Sequence, residues 1–165
     1  MTRDDIGSRI RDLPVSVERR PGTVHMRLAL PGQQQPIWRH LTEPELLATW
    51  SPVVPDRPLT SVGPALSREN PDEEPVAADV LEVHAPTLLI HRWGEDTVQW
   101  RIDGTTLELT MQLAAPEHAP MYLAGWQVCL AVLASRLDGN DQPRIVGYDA
   151  MDHGWEELRA FYAAQ

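Results

Sequence analysis

The stretch Ile37-Trp38-Arg39-His40-Leu41-Thr42-Glu43-Pro44-Glu45-Leu46-Leu47-Ala48-Thr49-Trp50 decides how the rest of the chain is read. Its apolar residues fall in two groups at helical spacing: Ile37, Trp38 and Leu41, then Leu46, Leu47 and Trp50. Between them, Glu43 followed by Pro44 reads as an N-cap with proline at the first helical position. The pattern predicts two short helices, Gln34 to Leu41 and Pro44 to Trp50, with Pro52 ending the second.

Upstream, residues 1–13 read as a loose, charged leader. Val15 to Arg19 and Thr23 to Leu30 read as strands joined at the turn dipeptide Pro21-Gly22. In the second, Val24, Met26, Leu28 and Leu30 alternate with His25, Arg27 and Ala29, the signature of a half-buried strand. Downstream, residues 52–75 carry six prolines, which cannot donate to a sheet ladder. Only short, irregular edge strands are expected there, near Leu59–Ser61 and Ala65–Arg68.

Four consecutive strands follow: Val76 to Val83, Thr87 to Trp93, Thr97 to Asp103 and Thr105 to Leu113. Ala85-Pro86, Gly94-Glu95 and Asp103-Gly104 separate them, and Asp-Gly is a strong hairpin signal. Leu107, Leu109, Met111 and Leu113 share one face, while Thr106, Glu108, Thr110 and Gln112 share the other. This is a meandering antiparallel sheet with one wet face. Pro120 opens a long helix to about Leu137, on which Tyr122, Trp126, Cys129, Leu130 and Leu133 follow helical spacing. A last helix, about Ala150 to Ala163, presents Trp155, Leu158 and Tyr162. The apolar sheet face must be covered, and the long helix is the obvious cover. The fold class is therefore α+β, a curved antiparallel sheet wrapped around a long helix, with residues 14–165 forming one domain.

Composition narrows the function. The chain has 165 residues, six tryptophans, one phenylalanine and a formal net charge of −10. All fourteen basic residues are arginine, so lysine Schiff-base chemistry and a P-loop are excluded. The negative balance disfavours nucleic acid and anionic membrane surfaces as partners. The single cysteine, Cys129, permits no intrachain disulfide and fits a reducing compartment, and no apolar run approaches the ~20 residues that span a bilayer. A cytoplasmic location is expected. The histidine spacings match no metal motif, and neither a Gly-x-Ser-x-Gly elbow nor a Gly-x-Gly-x-x-Gly loop is present. No cofactor, metal or catalytic residue is expected.

The Ile37–Trp50 stretch resembles the signature of the activator-of-heat-shock-ATPase-homologue (AHSA-like) group of the SRPBCC, or START-like, superfamily. Three further motifs lie in the same order as in that group. These are Ala78-Asp79-Val80-Leu81-Glu82-Val83 with Pro86, Leu89 and Trp93; then Thr105 to Thr110; then Ala124-Gly125-Trp126 with Leu130 and Leu133. The resemblance covers roughly residues 15–137. It implies a helix-grip fold with a cavity between sheet and helix, and places Trp50 at the cavity mouth. On that picture Trp93, Trp100 and Trp126 converge as a pocket wall, with His91, Met111, Tyr122 and Cys129 as further ligand contacts. His91 is the one polar residue of that set with a natural acid–base pKa, and no catalytic partner for it is visible. The leading expectation is a binding protein for a small hydrophobic or aromatic molecule, with a homodimer compatible with the reading. A cyclase- or hydrolase-like enzyme using the same cavity, and a chaperone-ATPase regulator or self-sacrificing toxin-resistance protein, are the alternatives.

Overall fold

Alternating residues put one face of a six-stranded sheet out of water. The computed structural model describes residues 3–164; residues 1, 2 and 165, which belong to the expected leader and domain end, lie outside the described residues. The strands are β1 (Ser16–Arg20), β2 (Thr23–Ala29), β3 (Leu66–Ser67), β4 (Val76–Ala77), β5 (Val80–His84), β6 (Leu88–Trp93), β7 (Asp96–Asp103) and β8 (Thr106–Gln112). The main sheet runs β1-β2-β8-β7-β6-β5, antiparallel throughout, and β3 pairs with β4 in a separate two-stranded piece. Val24, Met26, Leu28, Val98, Trp100, Ile102, Leu107, Leu109 and Met111 line the buried face. Gly94 and Gly104 turn the hairpins at φ of 64° and 62°, a conformation that costs glycine nothing.

The helices are α1 (Arg3–Arg11), α2 (Gln34–Thr42), α3 (Pro44–Leu47), α4 (Ala119–Leu137) and α5 (Trp155–Ala163), with 3₁₀ turns at Pro116–His118 and Gly147–His153. The result is a mixed α+β helix-grip fold, the sheet curved about α4. The helix expected to reach Trp50 stops at Leu47, and a turn carries the indole inward, where it is fully buried. The Glu43 side chain does not cap α3; it accepts from Arg39 on the preceding turn at 3.1 Å.

Three expectations are corrected. Residues 3–11 of the leader are not loose: they form α1, whose Ile6 and Ile10 are 1% and 0% exposed. Their spacing of four stacks both on one helical face. Second, Leu59–Ser61 is not a strand. Leu59 is buried and its N–H reaches the Thr42 carbonyl at 2.9 Å, which pins the proline-rich loop to the end of α2. Third, Val76–Val83 is two strands. Asp79 breaks the run because its carboxylate accepts the Ala65 N–H at 3.1 Å, which makes this side chain a structural anchor.

α4 explains why α1 must be ordered. Every residue from Trp126 to Ser135 is buried, on all sides of the helix. A helix covering a sheet would show water one polar flank; this one needs a second layer. α1 and α5 supply it. Gln127, a polar residue in an apolar helix, joins the three: its Nε2 donates to the Ile10 carbonyl at 2.7 Å and its Oε1 accepts from the Tyr162 hydroxyl.

Candidate functional site

At the level where the sheet meets the middle of α4, the indoles pack on one another. Trp50, Trp100 and Trp126 form a closed triangle with centroid separations of 5.9, 5.2 and 6.3 Å. Such tilted and edge-on pairs each contribute about 0.5–1.5 kcal/mol beyond their burial. Each ring N–H has a partner: Trp50 donates to the His40 carbonyl (2.9 Å), Trp100 to His91 Nε2 (3.2 Å) and Trp126 to the Met111 sulfur (3.0 Å).

His91 lies inside this cluster. Trp100 donates to Nε2, so the proton of the neutral ring sits on Nδ1 and goes to the Arg92 carbonyl at 2.9 Å. Both nitrogens are committed, and burial pulls the pKa down from 6.5 to about 4. The structure therefore makes His91 a neutral, hydrogen-bonded core residue. Arg92, on the other face of β6, is exposed.

Four of the eight residues singled out in the sequence do converge on a pocket, but at the edge of this core. Trp93, at the end of β6, packs edge-on against Trp126 (5.4 Å) and Tyr122 (5.7 Å). Together with Cys129 these rings line a pocket of about 330 Å³, at the lower end of the range for small-molecule sites (about 300–1,000 Å³). Trp50, His91, Trp100 and Met111 stand behind that wall, each at most 3% exposed.

The opposite wall comes from a segment that the sequence leaves unmarked. After α4 the chain returns across its end as a strap, with Ile145, Val146, Gly147 and Ala150 over the pocket and Trp155 closing the far side. Bonds that hold it include Arg136 to the Gln142 carbonyl (2.9 Å), Arg144 Nε to the Ser51 carbonyl (2.8 Å), and the Cys129 thiol to the Ile145 carbonyl (3.7 Å). One terminal nitrogen of Arg144 is buried without a hydrogen-bond partner among the described residues. Trp155 was legible as an apolar helix residue, but nothing in its spacing marked it as a pocket wall.

The polar groups are few and one-sided. Glu69 lines the pocket and also the two depressions that open from it on either side. Its carboxyl sits above the usual carboxylate range, through burial and repulsion from Glu73, against the opposing pull of Arg144. The Tyr122 hydroxyl is pushed up to about 12 by burial and by its hydrogen bond to Asp96, whose Oδ1 also accepts the Ala114 N–H at 2.9 Å. Burial pushes the Cys129 thiol up to about 12 despite Arg144, so it is no nucleophile at neutral pH. Among the described residues no cluster of three or more histidine, cysteine or carboxylate side chains is placed to hold a metal, and no helix is long and apolar enough to cross a membrane.

No family model and no curated protein matches the chain. Solved structures do. The chain is similar to a conserved protein of unknown function, EF2215 from Enterococcus faecalis, with TM-score 0.71 and 16% identity over 99% of this chain and 96% of that one. It is similar to CalU16 from Micromonospora echinospora, with TM-score 0.69 and 18% identity over 91% of each chain in the solution structure. It is also similar to DynU16, a protein of the dynemicin biosynthetic locus, with TM-score 0.65 and 20% identity over 75% of this chain but 49% of that one. Likeness at these identities establishes the helix-grip-like fold and leaves function to the site.

Proposed function

We propose that the chain binds a small hydrophobic or aromatic molecule in the strap-covered pocket. The observation that carries this is the pocket itself: about 330 Å³, walled by Trp93, Tyr122, Trp126 and Trp155, with Glu69 as its charged member. Affinity comes from removing apolar ligand surface from water at about 25 cal/mol per Å², before the ordering costs of binding. On the four sequence motifs and the shared fold, we further take the chain as a START-like protein of the AHSA-like group, working in the cytoplasm. One neighbour in structure belongs to a biosynthetic locus, a setting that suits a protein holding a small organic molecule.

This reading moves the site from its expected place. The ligand sits at the rim of the helix grip, between Trp93 and the strap, rather than between Trp50 and Trp100. An enzymatic use of His91 is disfavoured, since both ring nitrogens are engaged and the ring is neutral at physiological pH. A screen of aromatic and acyl compounds by tryptophan fluorescence and thermal shift tests the proposal. Ligands that quench fluorescence and raise the melting temperature in the wild type, but not in Trp155→Ala, are the expected result. A broad library without a single such compound would sink the idea.

A further inference from the structure

Taking the pocket proposed above as the binding site, we propose that its occupant is a cation: a hydrophobic or aromatic amine, held with its ring among the tryptophans and its ammonium group toward Glu69. Two independent features point the same way. One is the set of walls. Trp93 meets Tyr122 and Trp126 at interplanar angles of 68° and 65°, so the ring planes are turned through large angles and present faces in more than one direction. Aromatic faces carry partial negative charge and attract cations.

The other feature is the surrounding charge. Glu69 is common to the pocket and to both flanking depressions. Glu73, Glu74, Glu95 and Asp96 line the depression beyond Trp93, and Asp149 lies in the one beyond Trp155. No arginine lines any of the three, and the chain has no lysine; His118, in the depression beyond Trp93, is the one basic ring. On its other side Glu69 lines a further depression together with Arg68 and Arg144, and Arg144 gives its Nε to the Ser51 carbonyl.

The discrimination follows from electrostatics. A carboxylate or phosphate ligand meets several fixed negative charges with no cation to pair with. A neutral ligand gains the apolar burial but leaves the half-buried Glu69 further desolvated. An ammonium group adds a counter-charge on the pocket side of Glu69, away from Arg144, and gains from the ring faces in the same pose. Desolvation also keeps the Glu69 carboxyl above its ordinary range, the condition that a bound cation relieves.

A matched series separates charge from shape. We suggest measuring binding of 1-naphthylmethylamine, 1-naphthylmethanol and 1-naphthoate to the full chain at pH 7 by tryptophan quenching and calorimetry. The amine is expected to bind about tenfold more tightly than the alcohol, the scale of a desolvated cation–π contact, and the carboxylate most weakly. Glu69→Gln is expected to bring the amine to within about threefold of the alcohol, with alcohol binding at least as tight as in the wild type, and an unchanged far-UV circular dichroism spectrum shows that the variant is folded. Equal binding of amine and alcohol by the wild type overturns the cation assignment and leaves the pocket standing. A full amine preference that survives in Glu69→Gln overturns the role of Glu69. Failure of all three compounds overturns both the cation and the pocket.

Discussion

Trp50 and Trp100, on one side of Trp126, and Trp93 and Trp155, on the other, are the same side chain put to two uses. The inner pair is at most 3% exposed, and both N–H groups are bonded within the core. The outer pair is half-buried. Trp126 touches both groups, packing on Trp50 and Trp100 and also on Trp93. The difference is one of closure. Where sheet and helix meet directly, the indoles lock into a solid. Where a strap rather than a sheet forms the opposing wall, they are left with open faces. This tryptophan-rich interior thus leaves a pocket wall where its covering layer is a loop.

The largest test of this division is Trp50→Ala. Removal of a fully buried indole is expected to cost about 3–5 kcal/mol, read from the urea midpoint at constant slope. A loss under about 1 kcal/mol would mean that the inner cluster is itself a loosely filled cavity. Next comes pH. His91 titrates from 6.5 unfolded to about 4 folded, so its contribution is fully present above pH 6.5 and is lost as pH falls toward 4. Between pH 7 and pH 4 the wild type should lose up to about 3 kcal/mol from this group, and His91→Gln should show a correspondingly flatter profile. Parallel profiles would place His91 outside the sealed core.

Trp155→Ala should cost only about 1 kcal/mol of stability, because the ring is partly exposed, yet it should abolish ligand-induced quenching. A cost as large as that of Trp50→Ala would break the contrast between the two groups. The mildest probe is chemical. With its thiol held near 12, Cys129 should resist a disulfide reagent at pH 8 in the native state and react at once in denaturant. Fast native labelling would show that the strap opens readily.

The six-stranded sheet was legible because period-two alternation survives in β2, β7 and β8, and because Asp103-Gly104 fixes a hairpin wherever it falls between strands. The placing of His91 and Trp93 toward the helix came with the resemblance to the helix-grip group. The partner of His91 did not. Trp100 reaches it across two adjacent strands, through a register that only strand pairing reveals. α1 was missed because charged residues surround Ile6 and Ile10. Their helical spacing carries weight only once α4 is known to need a second cover, and Gln127, a buried amide in the middle of that helix, was the local sign. The pocket's outer wall was the least legible part. Val146, Gly147 and Ala150 are unremarkable in type, and they matter solely because Arg144 and Gln142 bring that stretch of chain back over Cys129.

α5 carries a mechanical consequence. Its first residue, Trp155, closes the pocket, and in its last turn Tyr162 grips Gln127, which in turn holds the end of α1. Nine residues of helix make a stiff rod of about 13 Å, so displacement at one end is passed to the other. On the proposed binding role, filling the pocket would load the same rod that fastens α1 to α5, and a dye placed on α1 is expected to report occupancy of a site it never touches.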